Sequence, residues 1–368
     1  MYDYSYLKVF YNGSLVGALT RTPEKLITFE YDSEWLEKGF SISPLSLPLK
    51  KEVFVPEYNP FIGLFGVFND SFPDGFGKMI ELILVKQKKN PPEINNLNRL
   101  AVTKENVIGA LTYKTESGFL EPEAEELAQE CSKILQPEYN NLDELAELYG
   151  HKMGARYKAY TKINGEDWII KLPLLFDSKN CGEKEYKYSL CAKNCGIKTC
   201  DTKLFDSKVC PGYFGVKRFD RGVNGHKIHA ISVSGLLEKS HRLHNHVDYN
   251  VLMQLTWDLT KSYNDVEQMY RLMCFNVFSY NRDDNIKNFS FIYDDIKKEW
   301  HLAPAYDLTF SVSFKGQHTS TVNGKNIDIT TEDILAVGIN NGMNENAAKE
   351  IAFEIKDKCA VLTGQNYT

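Results

Sequence analysis

Apolar and polar residues alternate over Leu7–Tyr11 and again over Leu15–Arg21, with Asn12-Gly13 between them. A period of two puts one face of each segment in a core, and Asn-Gly favours the positive-φ backbone of a tight hairpin turn. The same pattern recurs at Ala159–Ile163, Asn164-Gly165 and Trp168–Lys171. Gly77–Lys88 reads as a helix, and Val107–Tyr113 reads as a strand closing the N-terminal region. Glu116–Asn140 is acidic and carries two prolines, which predicts a linker with a short helix whose charges face solvent. Residues 145–220 then alternate strand and helix signals. They include a helix-like run, Glu183–Cys195, and an apolar strand from Tyr213 into Lys217-Arg-Phe-Asp-Arg221. Beyond Ser232 the period becomes helical, over Tyr249–Lys261, Val266–Tyr280, Thr331–Val337 and Asn344–Leu362, with Thr330-Thr331-Glu332 as a helix start. One hairpin interrupts this region: Phe289–Tyr293, a turn over Asp294–Glu299, and a return over Trp300–Ala303.

At 368 residues and 43% hydrophobic content the chain can bury a substantial core. Its formal charge of −6 argues against direct non-specific DNA binding, which needs clustered Lys and Arg. No basic segment followed by a long apolar run opens the chain, and stretches such as Ile80–Val85 are far too short to span a bilayer. A cytoplasmic protein without a membrane partner is expected. The eight cysteines then read as reduced. Cys191, Cys195, Cys200 and Cys210 lack Cys-x2-Cys pairing and read as small buried hydrophobes rather than a zinc site. His241, His244 and His246 lie among polar residues and read as a solvated loop.

The chemistry concentrates in Asn281-Arg-Asp-Asp-Asn-Ile-Lys-Asn-Phe-Ser290 and Ala303-Pro-Ala-Tyr-Asp307. Asp283 stands five positions before Asn288, and the intervening hairpin would fold Asp307 back toward Asn288. Phosphoryl transfer uses such a trio: one carboxylate takes the proton of the attacking hydroxyl, while an amide oxygen and a second carboxylate hold magnesium. Asp-x4-Asn alone also suits a surface turn. A second constellation lies upstream. Gly154-Ala-Arg-Tyr-Lys158 precedes a strand, where glycine lets backbone approach phosphate oxygens. Lys171 sits in an apolar strand, where a buried ammonium requires an anion or must snorkel from the strand end. Glu185 on the following helix is a candidate partner.

In combination, Gly-Ala-Arg-x-Lys, Ile-Ile-Lys-Leu-Pro, Val-Lys-Arg-Phe-Asp-Arg, Asp-x4-Asn and Ala-Pro-Ala-Tyr-Asp resemble HipA-type serine/threonine kinases, the toxins of bacterial HipBA toxin–antitoxin systems. Tyr31-Asp-Ser-Glu-Trp35, Ser43-Pro-Leu-Ser-Leu-Pro-Leu49 and Leu64–Gly77 resemble that family's N-terminal subdomain, so the likeness covers nearly the whole chain. The resemblance implies an α+β, two-lobed protein-kinase-like fold with an extra N-terminal β-rich subdomain. The expected divisions are 1–115 (N-terminal subdomain), 116–144 (acidic linker), 145–220 (small lobe with ATP loop and hinge) and 221–368 (helical large lobe). It implies Asp283 as catalytic base and Asn288 and Asp307 as magnesium ligands. Gly154, Ala155, Arg156 and Lys158 match the phosphate-side loop. Lys171, with Glu185, matches the lysine that contacts ATP phosphates, and Lys217, Arg218 and Phe219 match the adenine hinge.

Two positions depart from the family. A histidine usually stands two residues after the catalytic Asp; here it is Asn285, which cannot carry a proton near neutral pH. Three residues before the loop glycine, a self-phosphorylated serine is replaced by His151, and 150–160 contains no Ser or Thr. The implied activity is ATP- and magnesium-dependent phosphorylation of a Ser or Thr on a protein substrate, such as an aminoacyl-tRNA synthetase. The implied partner is a HipB-like DNA-binding antitoxin, through which operator DNA is contacted indirectly. The alternatives are a catalytically weak ATP-binding corepressor and a small-molecule kinase.

Overall fold

Both Asn-Gly signals become hairpin turns. The computed structural model describes residues 3–73, 75–87, 94–105, 107–137, 142–149, 156–174, 176–241 and 247–363. In chain order the elements begin with β1 (Tyr6–Tyr11), β2 (Ser14–Arg21), β3 (Ile27–Tyr31), α1 (Ser33–Lys38), β4 (Val53–Phe54), α2 (Gly66–Asn69), α3 (Phe76–Lys86), α4 (Asn96–Thr103), β5 (Leu111–Lys114), α5 (Pro122–Leu135) and α6 (Leu142–Tyr149). They continue with β6 (Lys158–Ile163), β7 (Glu166–Lys171), α7 (Cys181–Asn194), β8 (Thr202–Phe205), β9 (Tyr213–Lys217), β10 (His229–Ser232) and α8 (Val233–Leu236). The last are α9 (Tyr249–Thr260), α10 (Tyr263–Phe278), β11 (Ser290–Asp294), β12 (Glu299–Leu302), α11 (Thr331–Asn340) and α12 (Glu345–Thr363). Among the described residues the first unit holds a five-stranded sheet in the order β4-β3-β2-β1-β5 and the β6-β7 pair, and the second holds the β11-β12 pair. The fold is α+β. The chain divides into two compact units: Met1–Lys179 with Asp206–Tyr213 and Lys217–Ser240, and Asn180–Phe205 with Phe214–Val216 and His241–Thr368.

In the first unit, β1 buries Leu7, Val9 and Tyr11 on alternate positions. Asn12 (φ 44°) and Gly13 (φ 89°) turn it into β2, with a register shift between Val9 and Phe10. Asn164 (φ 52°) and Gly165 (φ 82°) do the same between β6 and β7, which pair antiparallel with Lys158 opposite Lys171. Two expectations shift. The strand expected from Val107 starts only at Leu111. Gly109 adopts φ 76° and donates its N–H to Asp220, while the Val107 carbonyl accepts from Arg218 and Arg221, so this backbone serves a buried ion cluster instead of a ladder. The acidic segment forms a full helix, α5, which buries Ala124, Leu127, Ala128, Cys131, Ile134 and Leu135 against α3, α4 and β6. Its apolar face outweighs its charges, which stay outward. Elsewhere in this unit, α2 and α8 approach so closely that a Cβ on Gly66 would lie 2.5 Å from the Gly235 Cα.

In the second unit, α9, α10, α11 and α12 pack around Leu252, Met269, Met273, Phe275, Val337 and Ile355. Side chains start three of these helices: Asp248 caps α9, Ser262 caps α10, and Thr330 with Asp333 forms a capping box on α11. Each satisfies N–H groups that the first helical turn leaves unpaired. β11 and β12 form the expected hairpin, with Tyr293 opposite Trp300.

Candidate active site

After α10, Tyr280 takes φ 56° and turns the chain into the loop 281–290. Asn281 fixes the loop's start: its backbone N–H donates to the Asn276 carbonyl at 2.9 Å and its amide to Asn276 Oδ1 at 2.9 Å. The next anchor is Asp284, 1% exposed. Its Oδ1 accepts from the backbone N–H groups of Thr319 (2.9 Å) and Ser320 (3.2 Å). Its Oδ2 accepts from Tyr249 Oη–H (3.0 Å), and His318 Nδ1 lies 3.0 Å away. Ser320 Oγ–H donates to the Asp284 carbonyl at 2.6 Å, and Asn276 donates to Tyr249 Oη at 2.9 Å. Burial and the Asp284 charge push the Tyr249 hydroxyl well above its usual range, so it acts as a donor.

This buried anchor turns the neighbouring acid outward. Asp283 is exposed, and its Oδ1 accepts from Asn285 Nδ2 at 2.9 Å. Its carbonyl accepts from Asn288 Nδ2 at 2.8 Å. With Nδ2 committed, Asn288 has Oδ1 to offer a cation. Asn285 closes the turn, accepting from the Lys287 N–H and, through its carbonyl, from the Asn288 N–H, both at 2.9 Å. The hairpin then returns the chain. The Ala303 N–H donates to the Ser290 carbonyl at 2.9 Å. Tyr306 Oη–H donates to the Lys287 carbonyl at 2.7 Å and lies 2.6 Å from Ser290 Oγ. Tyr306 therefore bonds to residues on both sides of Asn288. Next to it, Asp307 adopts φ 57°, a left-handed conformation that Asp and Asn enter more readily than other residues with a Cβ.

Other site candidates lie in the first unit. Lys171 is 9% exposed, and cross-strand pairing puts Lys158 on the same face of the hairpin. Two ammonium groups directly opposite each other repel unless an anion lies between them. Arg156 Nε pairs with Asp177 at 2.8 Å, and Lys217 pairs with Glu166. The Arg218 side chain is buried and committed: it donates to Asp220 Oδ1 (2.8 Å) and Oδ2 (2.6 Å) and to the Val107 carbonyl (2.8 Å). Burial works to raise the Asp220 carboxyl, but the Arg218 and Arg221 guanidiniums outweigh it and hold it at about 2. Phe219 is half-buried. Glu185, in the second unit, is 1% exposed on α7. Gly154, Ala155 and His151 lie outside the described residues, as do His244 and His246.

The sequence reading missed Asp284, Tyr249, His318, Thr319 and Ser320. Nothing in the Asp283-Asp284 doublet marks which acid is buried. The cysteines also regroup. Cys191 and Cys195 stand with Cys359, and Cys200 and Cys210 are not in the group.

Residues 151–361 match the family model of the HipA-like C-terminal domain, and residues 7–114 match that of the HipA N-terminal domain. "Putative kinase Y4dM" of Sinorhizobium fredii is 27% identical over 173 residues, which are 43% of this chain and 41% of that protein. The chain thus matches less than half the length of that relative. The solved Shewanella oneidensis MR-1 complex of HipA, HipB and operator DNA contains a chain that superposes with TM-score 0.71 at 16% identity, over 98% of this chain and 90% of that one. The Helicobacter pylori proinflammatory kinase CtkA reaches a TM-score of 0.37 at 14% identity, covering 57% of this chain and 88% of that one.

Proposed function

The chain belongs to the HipA family, and from that premise we propose that it is an ATP- and magnesium-dependent protein serine/threonine kinase, acting as the toxin of a toxin–antitoxin pair. The observation that carries this reading is the opposed setting of two adjacent acids: Asp284 is buried and bonded from all sides, so Asp283 is held outward on a fixed loop. In this reading Asp283 accepts the proton of the attacking hydroxyl through Oδ2, since Oδ1 is engaged by Asn285. Asn288 Oδ1 and the Asp307 carboxylate are hard oxygen donors of the kind magnesium takes, and Tyr306 ties their segments together. A bound magnesium ion would neutralise charge on the phosphates. Lys171 and Lys158 share one hairpin face and would serve the same phosphates. The Lys217–Phe219 backbone would receive the adenine.

The partner reading rests on the Shewanella complex, in which HipA is assembled with HipB and operator DNA. The net charge of −6 suits indirect operator contact through a HipB-like antitoxin. Among the described residues no helix is long and apolar enough to cross a membrane. We place the protein in the cytoplasm, with a translation component such as an aminoacyl-tRNA synthetase as its substrate.

A second reading, an ATP-holding corepressor with weak transfer, is favoured by one observation. The group bonded to the Asp283 carboxylate is Asn285, which can orient that carboxylate but cannot relay a proton. Incubating the purified protein with magnesium, labelled ATP and host lysate separates the readings. Label in a single protein, lost in Asp283→Asn, supports the kinase. Label confined to small metabolites would indicate a small-molecule kinase, and ATP binding without transfer would favour the corepressor.

A further inference from the structure

Three buried thiols converge in the second unit, away from the loop 281–290 in sequence. Cys191 lies in the last turn of α7 and Cys195 is the residue that caps its C-terminus, four positions on, a spacing that brings both side chains to one side of the helix end. Cys359, on α12, faces them, and the three Sγ atoms lie within 4.8 Å of one another. Cys195 and Cys359 are fully buried, and Cys191 is 8% exposed. Around them, α12 is fastened to the end of α7: Lys358 Nζ donates to the Asn194 carbonyl at 2.7 Å, and Cys191 Sγ–H donates to the Lys358 carbonyl at 3.4 Å. Among the described residues no fourth His, Cys, Asp or Glu joins the group.

We propose that Cys191, Cys195 and Cys359 form a site for one thiophilic closed-shell cation, Zn²⁺ or Cu⁺, which clips α12 to α7. Three features support it. Soft sulfur donors select these ions over magnesium or calcium. An ion about 2.3 Å from each of three sulfurs spaces them about 4 Å apart, so side-chain adjustments of under about 1 Å close the group around it. The Lys358 ammonium, held beside the cluster by Asn194 and Glu354, offsets the negative charge that thiolates bring into the core. On binding, each ligating thiol releases its proton to solvent as its sulfur bonds the metal, and no oxidant is needed. This proposal is independent of the kinase reading, because none of the three cysteines belongs to the loop 281–290.

The test uses the full chain, stripped of metal under reducing conditions. It is titrated separately with Zn²⁺ and Cu⁺ against chromogenic chelators, and with Co²⁺ for its sulfur-to-metal charge-transfer band. One equivalent of Zn²⁺ or Cu⁺ should bind, the tighter ion naming the occupant. Cys191→Ser and Cys359→Ser should each weaken binding about 10–100-fold or more, while Cys200→Ser leaves it unchanged. Should the serine variants fail to fold, alkylation of the parent protein decides: metal should slow modification of Cys191, Cys195 and Cys359 together and spare Cys200. No bound equivalent, equal affinity in the serine variants, protection extending equally to Cys200, or a Cys191–Cys359 disulfide in protein purified without reductant would each overturn the proposal.

Discussion

Replacing Asp284 tests the loop anchor without touching the group assigned to proton transfer. In Asp284→Ala, the Thr319 and Ser320 N–H groups and the Tyr249 hydroxyl lose their acceptor together, and His318 loses its neighbour. Each stranded buried donor costs about 1–3 kcal/mol, reduced where water enters the vacated space. Removing one member of a buried charged network costs about 3–5 kcal/mol in all, which we take as the working figure. For a unit of this size that lowers the melting temperature by roughly 6–20 °C. Asp284→Asn keeps an oxygen for the two N–H groups but turns an amide donor toward Tyr249, which already accepts from Asn276. It should therefore cost less, about 1–2 kcal/mol. Both variants should lose phosphoryl transfer beyond their stability loss, since about 1 Å of misplacement at Asp283 costs about 100-fold. Scanning fluorimetry gives the first quantity and label transfer the second. Hydrogen exchange at the Thr319 and Ser320 amides reports the anchor directly. Parental melting in Asp284→Ala, with undiminished protection of those two amides, would refute the anchoring argument.

Asp283→Asn should retain magnesium-ATP binding and fold while losing about 10²–10⁴-fold in transfer rate; calorimetry and single-turnover labelling check both. Asp307→Ala should abolish the magnesium dependence of ATP binding, and equal affinity of the parent with and without magnesium would remove the assignment. Mass spectrometry after incubation with magnesium-ATP should find no phosphate on residues 150–160, where no Ser or Thr stands. The Glu238 carboxylate accepts the Gly66 N–H at 2.9 and 3.0 Å, and burial pushes it up to about 7. It binds its proton more tightly folded than unfolded, so stability should fall as pH rises from about 4.5 through 7, by at most about 3 kcal/mol. Glu238→Gln should remove that fall. Comparing variant with parent isolates it from His229, which burial pushes down to about 4 and which acts in the opposite sense between about 4 and 6.5.

The local signals of the sequence carried far because they are enforced by backbone chemistry. Asn12-Gly13 and Asn164-Gly165 both turn with positive φ, and no tertiary contact needed to be known to expect it. The helices beyond residue 249 follow from their period and caps. Failures occur where distant groups claim a backbone. Val107 and Gly109 read as a strand, yet their polar groups are taken by Arg218, Asp220 and Arg221, more than a hundred residues away. Alternation cannot show such a competitor. Likewise Asp284 and His318 meet across 34 positions, and neither sits in a pattern that marks it as buried.

The cysteines show that a spacing rule has meaning only within its secondary structure. Cys-x2-Cys is the spacing of a metal-binding turn, and its absence argues against zinc when four cysteines are viewed as a loop-borne cluster. Cys191 instead sits in the last turn of α7 and Cys195 caps it, at the end of the helix expected over Glu183–Cys195, where four residues make just over one turn and align two thiols. Cys200 and Cys210 lie beyond that helix, and proximity in sequence brings them no closer to the pair. The third member comes from Cys359, 164 positions after Cys195, through the packing of α12 on α7. The helical pair was readable from period and spacing together. Its partner was not, because only the tertiary fold chooses which face of α12 meets α7.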